Sequence, residues 1–239
     1  MQSLYSYLDL FSLTPPPPPS KVWFVVEGNI GSGKSTLLRL MKEKYNDHLE
    51  IIYEPLDIWT KYIDPNTGKN LFQLYYEDPM RWAFIFQTLA FNTTLETWQI
   101  PQEKPIRLAE RSLHTHRDIY AQNHFQNGNM TPIEWQVYQD LFQNKSKTIE
   151  QPTGYIYLRT SIETVKKRIR LRAREGEEVL NDGPDDTYLQ QLHDQHDKVW
   201  FEKPSRRVLV LDADQDFEYD PDVKRKFMTQ IDRFISSWQ

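Results

Sequence analysis

Nine residues set between a short apolar run and a helical pattern constrain this chain more than anything else in it. They read Gly28-Asn29-Ile30-Gly31-Ser32-Gly33-Lys34-Ser35-Thr36, the spacing G-x-x-x-x-G-K-[ST] of a phosphate-binding loop. Three of the chain's eight glycines fall here, where backbone N–H groups must converge on phosphate oxygens and a Cβ would block the curvature. The following helix adds the positive end of its dipole, Lys34 reaches the β/γ oxygens, and the Ser35 hydroxyl serves Mg2+. By average residue usage such a pattern arises by accident in about 1% of chains of this length. Its place after a strand and before a helix makes a plain glycine-rich turn rarer still. Nucleotide binding follows.

Around the loop, strand-like and helix-like segments alternate. Val22-Trp23-Phe24-Val25-Val26 is an apolar run suited to a strand buried on both faces, and similar runs recur at 51–53, 106–109, 155–158 and 208–211. One intervening helix opens with Asp78-Pro79 and continues through Trp82, Ile85, Phe86 and Leu89. Another opens with the capping box Thr131-Pro132-Ile133-Glu134 and places Ile133, Val137, Tyr138 and Leu141 on one face. A third begins at Thr160-Ser161-Ile162-Glu163 and turns strongly basic. The pattern predicts an α/β, P-loop NTPase fold: a five-stranded parallel sheet flanked by helices with right-handed crossovers.

Residues 21–239 read as one domain, without an internal repeat or second boundary. Residues 1–20 read as a mobile tail stiffened by Pro15 to Pro19. With 29 Lys+Arg against 34 Asp+Glu and a net charge of −5, the chain has no broad basic footprint for a nucleic acid polymer. It has no cysteine, which removes disulfides, thiolate metal sites and a cysteine nucleophile. Its longest apolar runs are too short to span a bilayer. Met1 to Thr14 carries no Lys or Arg, unlike a signal or transit peptide, so a cytoplasmic location is expected, with the nucleus as the alternative.

The loop alone does not name a reaction. A GTPase switch would carry Asn-Lys-x-Asp, but here the only Asn-Lys continues as Asn144-Lys145-Ser146-Lys147. No strand ends plainly in the aspartate of a mechanical ATPase. Glu54 and Glu110 end their strands instead, and so emerge at the carboxyl edge of the sheet where ligands of open α/β folds bind. That pair points to phosphoryl transfer onto a small acceptor.

Further motifs lie in order along the chain: Glu54-Pro55 with Trp59, Tyr76-Glu77-x-Pro79, Phe86-Gln87-Thr88, Glu110-Arg111-Ser112 and Arg168-x-x-x-Arg172-x-Arg174. With the phosphate loop they resemble the cellular deoxyribonucleoside kinases, the family of deoxycytidine, deoxyguanosine, mitochondrial thymidine and insect multisubstrate kinases. The resemblance runs from about Lys21 to the C-terminus and implies ATP and Mg2+, a nucleoside acceptor and a homodimer. It implies that Glu54 accepts the 5′-hydroxyl proton, that Arg111 holds Glu54 ionised, and that Glu110 joins Ser35 at Mg2+. Arg168, Arg172 and Arg174 would form an arginine-rich lid over the transferring phosphoryl, with Arg168 also stacking on adenine. Taken alone, such a basic helix end would be a solvated face complementing the dipole.

The same resemblance puts the base between Phe86 and Tyr120, with Gln87 reading its edge. Tyr76 and Glu177, or Glu178 beside it, would grip the 3′-hydroxyl, and Asp216-Phe217 would cradle the donor adenine. Where deoxycytidine and deoxyguanosine kinases carry an Arg/Asp pair over the base, this chain has Thr94 and His116. Loss of the charged pair makes space for a thymine methyl, so the expected order is thymidine, then deoxycytidine, with purines poor. His116 reads equally as a partly exposed loop histidine. His193 and His196, three apart, read as a solvated helix face rather than a metal site. Two rivals stay open: a nucleoside monophosphate kinase of the same fold, and a nucleotide-binding module without turnover.

Overall fold

The structure is a computed structural model that describes residues 21–174, 177, 180, 187–202 and 206–238. The tail expected over 1–20 and the alternative contact Glu178 lie outside the described residues. In chain order the elements are β1 (Val22–Glu27), α1 (Lys34–Tyr45), β2 (Leu49–Ile52), α2 (Leu56–Thr60), α3 (Leu71–Glu77), α4 (Pro79–Trp98) and β3 (Ile106–Glu110). There follow α5 (113–126, with a π segment at His116–Ala121), α6 (Pro132–Ser146), β4 (Gly154–Arg159), α7 (Ile162–Arg172), α8 (Thr187–Asp197), β5 (Val208–Asp212) and α9 (Pro221–Ser236).

The five strands pair in parallel in the order β2-β3-β1-β4-β5, the architecture expected from the sequence. Central β1 is buried at every residue, and its alternating side chains split the interior in two. Val22, Phe24 and Val26 pack with Leu37, Leu38 and Met41 of α1 and with Phe227, Ile231 and Ile235 of α9. Trp23 and Val25 face the other core, built from residues of α4, α5 and α8 such as Phe91, Ile119 and Leu192. Covering both sheet faces is what makes such a strand read as an unbroken apolar run.

The helix starts follow their capping chemistry. Asp78 accepts from Arg81 N, Thr131 and Glu134 cap reciprocally, and Ser161 accepts from Thr164 N. One expected face is corrected. In α6 the buried stripe is Tyr138 and Phe142, whose rings lie 6.0 and 5.6 Å from Phe91 of α4. Ile133 and Val137 are 74% and 44% exposed. Val137 sits one residue, hence about 100°, from Tyr138 around the helix; the two large aromatics take the inward stripe and turn the aliphatics out.

Candidate active site

The β1–β3 register pairs Val26 with Glu110, and the β2–β3 register pairs Ile52 with Ala109. Glu110, Arg111 and the chain leaving β2 therefore meet at the carboxyl edge, beside the loop that leaves β1. A cavity of about 620 Å³ opens there, within the range of small-molecule sites. It runs from the phosphate loop, past Glu54 and Arg111, to an aromatic end at Phe86 and Tyr120.

The phosphate loop is held by its own backbone demands. Gly31 has φ 76°, and a Cβ there would lie 2.9 Å from Val165 O on α7. Gly33 has φ 96°, and its Cβ would lie 2.8 Å from the Phe217 ring. Neither position admits a side chain. The Lys34 ammonium, 5% exposed, donates to Gly28 O and Asn29 O at 3.0 and 2.9 Å. Burial, helped by the charge of Arg111, lowers its pKa to about 8. Asn29 stabilises the loop through Ile30 N and Leu189 O. Gly28, Asn29 and Ser32 form the underside of the loop, whereas Ile30, Gly31, Gly33, Lys34, Ser35 and Thr36 line the cavity.

Glu54 and Arg111 form the centre of the site. Arg111 Nε lies 2.9 Å from Glu54 Oε1, and both side chains are about one-tenth exposed. The pair touches without hydrogen-bond alignment, leaving both atoms buried and unpartnered. Burial would raise the Glu54 carboxyl, but the charges of Arg111, then Lys34 and Arg174, outweigh it and hold the group below the usual carboxylate range. Arg111 itself has φ 64°, a conformation a non-glycine residue adopts only when its surroundings enforce it. Glu27, the last residue of β1, enforces it by accepting from Ser112 N at 3.0 Å and Thr115 Oγ1 at 2.8 Å. Ser35 Oγ donates to Glu110 Oε1 at 2.8 Å. Burial and the neighbouring Glu54 charge raise Glu110.

At the aromatic end, Phe86 stacks on Tyr75 at 4.2 Å, and Trp59 meets Phe86 edge-on at 5.4 Å. Tyr120 carries Arg111 over its ring at 4.3 Å and has an unpartnered hydroxyl. Gln87 donates through Nε2 to the Tyr75 hydroxyl, while its Oε1 is buried without a partner. Tyr76 lines the same wall. Glu177 also lines the cavity, bound by Arg172 and, at 3.2 Å, by Arg174. Arg168 reaches Ser32 O and lies 5.7 Å from the Phe217 ring, whose neighbour Asp216 caps a turn through Glu218 N and Tyr219 N.

His116 is not a loop residue. It sits in the π segment of α5, 2% exposed, with Nε2 3.1 Å from Thr94 Oγ1. Burial and Arg111 lower its pKa to about 3, so it is neutral. Thr94 stands behind His116, off the cavity wall. His196 is likewise no solvated residue: it is fully buried, its Nδ1 2.7 Å from Leu192 O, because α8 turns this face onto the second core. Sequence reasoning passed over Glu27, Tyr75 and Lys167, although each directly precedes a residue it singled out: Gly28, Tyr76 and Arg168.

No group of three or more His, Cys, Asp or Glu positioned for a metal occurs among the described residues. The Ser35 hydroxyl and the Glu110 carboxylate are a sparse, hard-oxygen donor pair. That fits Mg2+, which binds through one or two protein oxygens and completes its shell with water and phosphate. No helix among the described residues is long and apolar enough to cross a membrane.

Comparison with known proteins identifies the family. The family model described as "Deoxynucleoside kinase" matches residues 24–236. Deoxycytidine kinase 2 of Gallus gallus is 34% identical over 242 residues, covering 89% of each chain. Mitochondrial thymidine kinase 2 of Macaca fascicularis is 34% identical over 199 residues, covering 81% of this chain and 71% of its own. Mitochondrial deoxyguanosine kinase of Xenopus laevis is 30% identical over 88% of each chain. The chain belongs to the deoxynucleoside kinase family and is an ATP-dependent nucleoside kinase.

Proposed function

We propose that this kinase transfers the γ-phosphoryl group of ATP to the 5′-hydroxyl of a 2′-deoxynucleoside, thymidine first and deoxycytidine second. The observation that carries the reading is Glu54: a charged carboxylate, ion-paired through Oε1 to Arg111, on the wall of the cavity that also holds the phosphate loop. A carboxylate held below its ordinary pKa is a weak base for an alcohol. Its work is to accept a hydrogen bond from the 5′-hydroxyl, aim the oxygen in line, and take the proton late, as the P–O bond forms. Arg111 keeps Glu54 ionised and donates to the attacking oxygen. Lys34 and the loop amides hold the β- and γ-phosphates, and Arg168, Arg172 and Arg174 place fixed positive charge around the transferring group. Ser35 and Glu110 would hold Mg2+, which would supply neutralisation of charge on the phosphate oxygens.

On the acceptor side, Phe86 and Tyr120 hold the base, Gln87 reads its edge, and Tyr76 and Glu177 grip the 3′-hydroxyl. Trp59 backs Phe86, and Phe217 and Asp216 receive adenine. The neutral His116–Thr94 pair supports thymidine, because nothing charged stands over the base to demand an exocyclic amino group. Pairing of two subunits through α4 and α6 completes the proposal; these helices pack together and carry exposed Ile85, Ile133 and Val137. A cytoplasmic or nuclear location is part of the same reading and is checked by cell fractionation.

The test is a steady-state panel of the four deoxynucleosides and thymidine 5′-monophosphate with ATP·Mg2+. Thymidine is expected to give the highest kcat/KM. Deoxyguanosine as best acceptor overturns the order, and preference for the monophosphate overturns the reaction.

A further inference from the structure

Tyr75 lies beside the base pocket but sends its hydroxyl away from it, into a buried polar cluster. That hydroxyl has three polar neighbours: His124 Nε2 at 2.7 Å, Tyr188 OH at 3.1 Å and Gln87 Nε2 at 3.3 Å. A phenol has one proton to give and two lone pairs to accept with. His124 is 2% exposed, and burial lowers its pKa to about 4, so its ring is neutral and exists as one of two tautomers. With Nε2 bare, it takes the Tyr75 proton. With Nε2 protonated, it donates to Tyr75, and the Tyr75 proton passes to Tyr188, the next nearest. In both cases the Tyr75 oxygen faces Gln87 as an acceptor. The Gln87 amide nitrogen is thereby turned towards Tyr75, and Oε1, on a residue that lines the cavity, is buried with no hydrogen-bond partner in the protein.

We infer that Tyr75 and His124 form a relay that fixes the orientation of the Gln87 side-chain amide, making Tyr75 a specificity-determining residue for the pyrimidine edge. The inference rests on the proposed role of Gln87 as the base reader. Thymine presents a donor at N3 and an acceptor at O4, whereas cytosine presents an acceptor at N3 and a donor at N4. The two edges have opposite order. An amide free to turn over serves both, because its oxygen and nitrogen exchange places. An amide pinned through its nitrogen offers one order, and the mismatched base leaves buried polar groups unpaired, the form of discrimination that a polar pocket makes strongest. Stacking of the Tyr75 ring on Phe86 at 4.2 Å fixes where the hydroxyl stands, so the relay and the aromatic wall of the pocket are one rigid unit.

The experiment compares kcat/KM for thymidine and for deoxycytidine, with ATP·Mg2+, in the wild type, Tyr75→Phe, His124→Leu and His124→Gln. Tyr75→Phe keeps the ring and its stack while removing the hydroxyl. It is expected to compress the ratio between the two nucleosides by about tenfold or more, chiefly through KM for the disfavoured one. His124→Leu is expected to compress it in the same direction. His124→Gln returns an acceptor near the Nε2 position and is expected to restore most of the wild-type ratio. A ratio within about twofold of wild type in Tyr75→Phe, or in His124→Leu should Tyr75→Phe not fold, overturns the relay. Which nucleoside the wild type prefers reports on the proposed substrate order alone. Compression of the ratio reports on the relay whichever comes first.

Discussion

Glu27 shows how much of the site depends on a residue that meets no substrate. Its carboxyl is fully buried, and burial raises its pKa to about 7 against the pull of Ser112 and Thr115. A carboxyl with a raised folded pKa contributes stability below its unfolded value of 4.5, and that contribution is lost as the pH rises towards 7. Glu27→Gln presents an amide N–H to one of two donors and forfeits a buried hydrogen bond, a cost of about 1–3 kcal/mol. Denaturant titration is expected to show a larger deficit at pH 5 than at pH 8, and kcat is expected to fall as Arg111 loses its enforced conformation. An equal deficit at both pH values would mean that Glu27 does not titrate in this range. Nothing in the sequence marks Glu27, because an acid at a strand end is ordinarily solvated. Glu54 and Glu110 were legible because each heads a recognisable motif, Glu54-Pro55 and Glu110-Arg111-Ser112, whereas Glu27, at the same edge, takes its role from Ser112 and Thr115, which only the fold brings to it.

At the scale of elements, the phosphate loop and α7 are bound by contact distance. A Cβ on Gly31 would press on the Val165 carbonyl, which belongs to helix backbone and cannot rotate aside. Gly31→Ala is therefore expected to weaken ATP binding at least about tenfold in a direct titration; an unchanged Kd would mean the loop tolerates a shift of α7. The start of α6 offers a cleaner test of local chemistry. Thr131→Ala removes one half of the capping box, at a residue that does not line the cavity, and should cost about 1 kcal/mol of stability with kcat unaltered. Strand runs and caps were readable because each is set by a few neighbouring residues. The π segment at His116–Ala121 was not, since an extra residue per turn arises from packing. It is this segment that puts buried His116 and Tyr120 on the cavity wall, a position the sequence around the histidine does not distinguish from a loop. The outward turn of Ile133 and Val137 was hidden for a similar reason: apolar periodicity locates a stripe, and the aromatics decide which edge of it goes inside.

For the molecule as a whole, four largely buried histidines govern the response to acid. His114, His116, His124 and His196 are lowered to about 4, 3, 4 and 3, each chiefly by burial. The unfolded chain takes up their protons below about pH 6.5 while the folded chain refuses them. Stability from these groups is complete above 6.5 and drains away towards pH 3–4, by on the order of 2 kcal/mol each at pH 5. Glu27 opposes this by a similar amount for one group, so the net slope is set by the histidines. Thermal melts should show Tm falling between pH 7 and pH 5; a flat profile would show that these rings protonate in place. The central claim, that Glu54 orients and deprotonates the acceptor hydroxyl, is tested most directly by Glu54→Gln assayed with thymidine and ATP·Mg2+ beside a direct ATP titration. The account predicts a loss of kcat of roughly 100-fold or more with the Kd for ATP within about twofold of wild type. A kcat near wild type would contradict it.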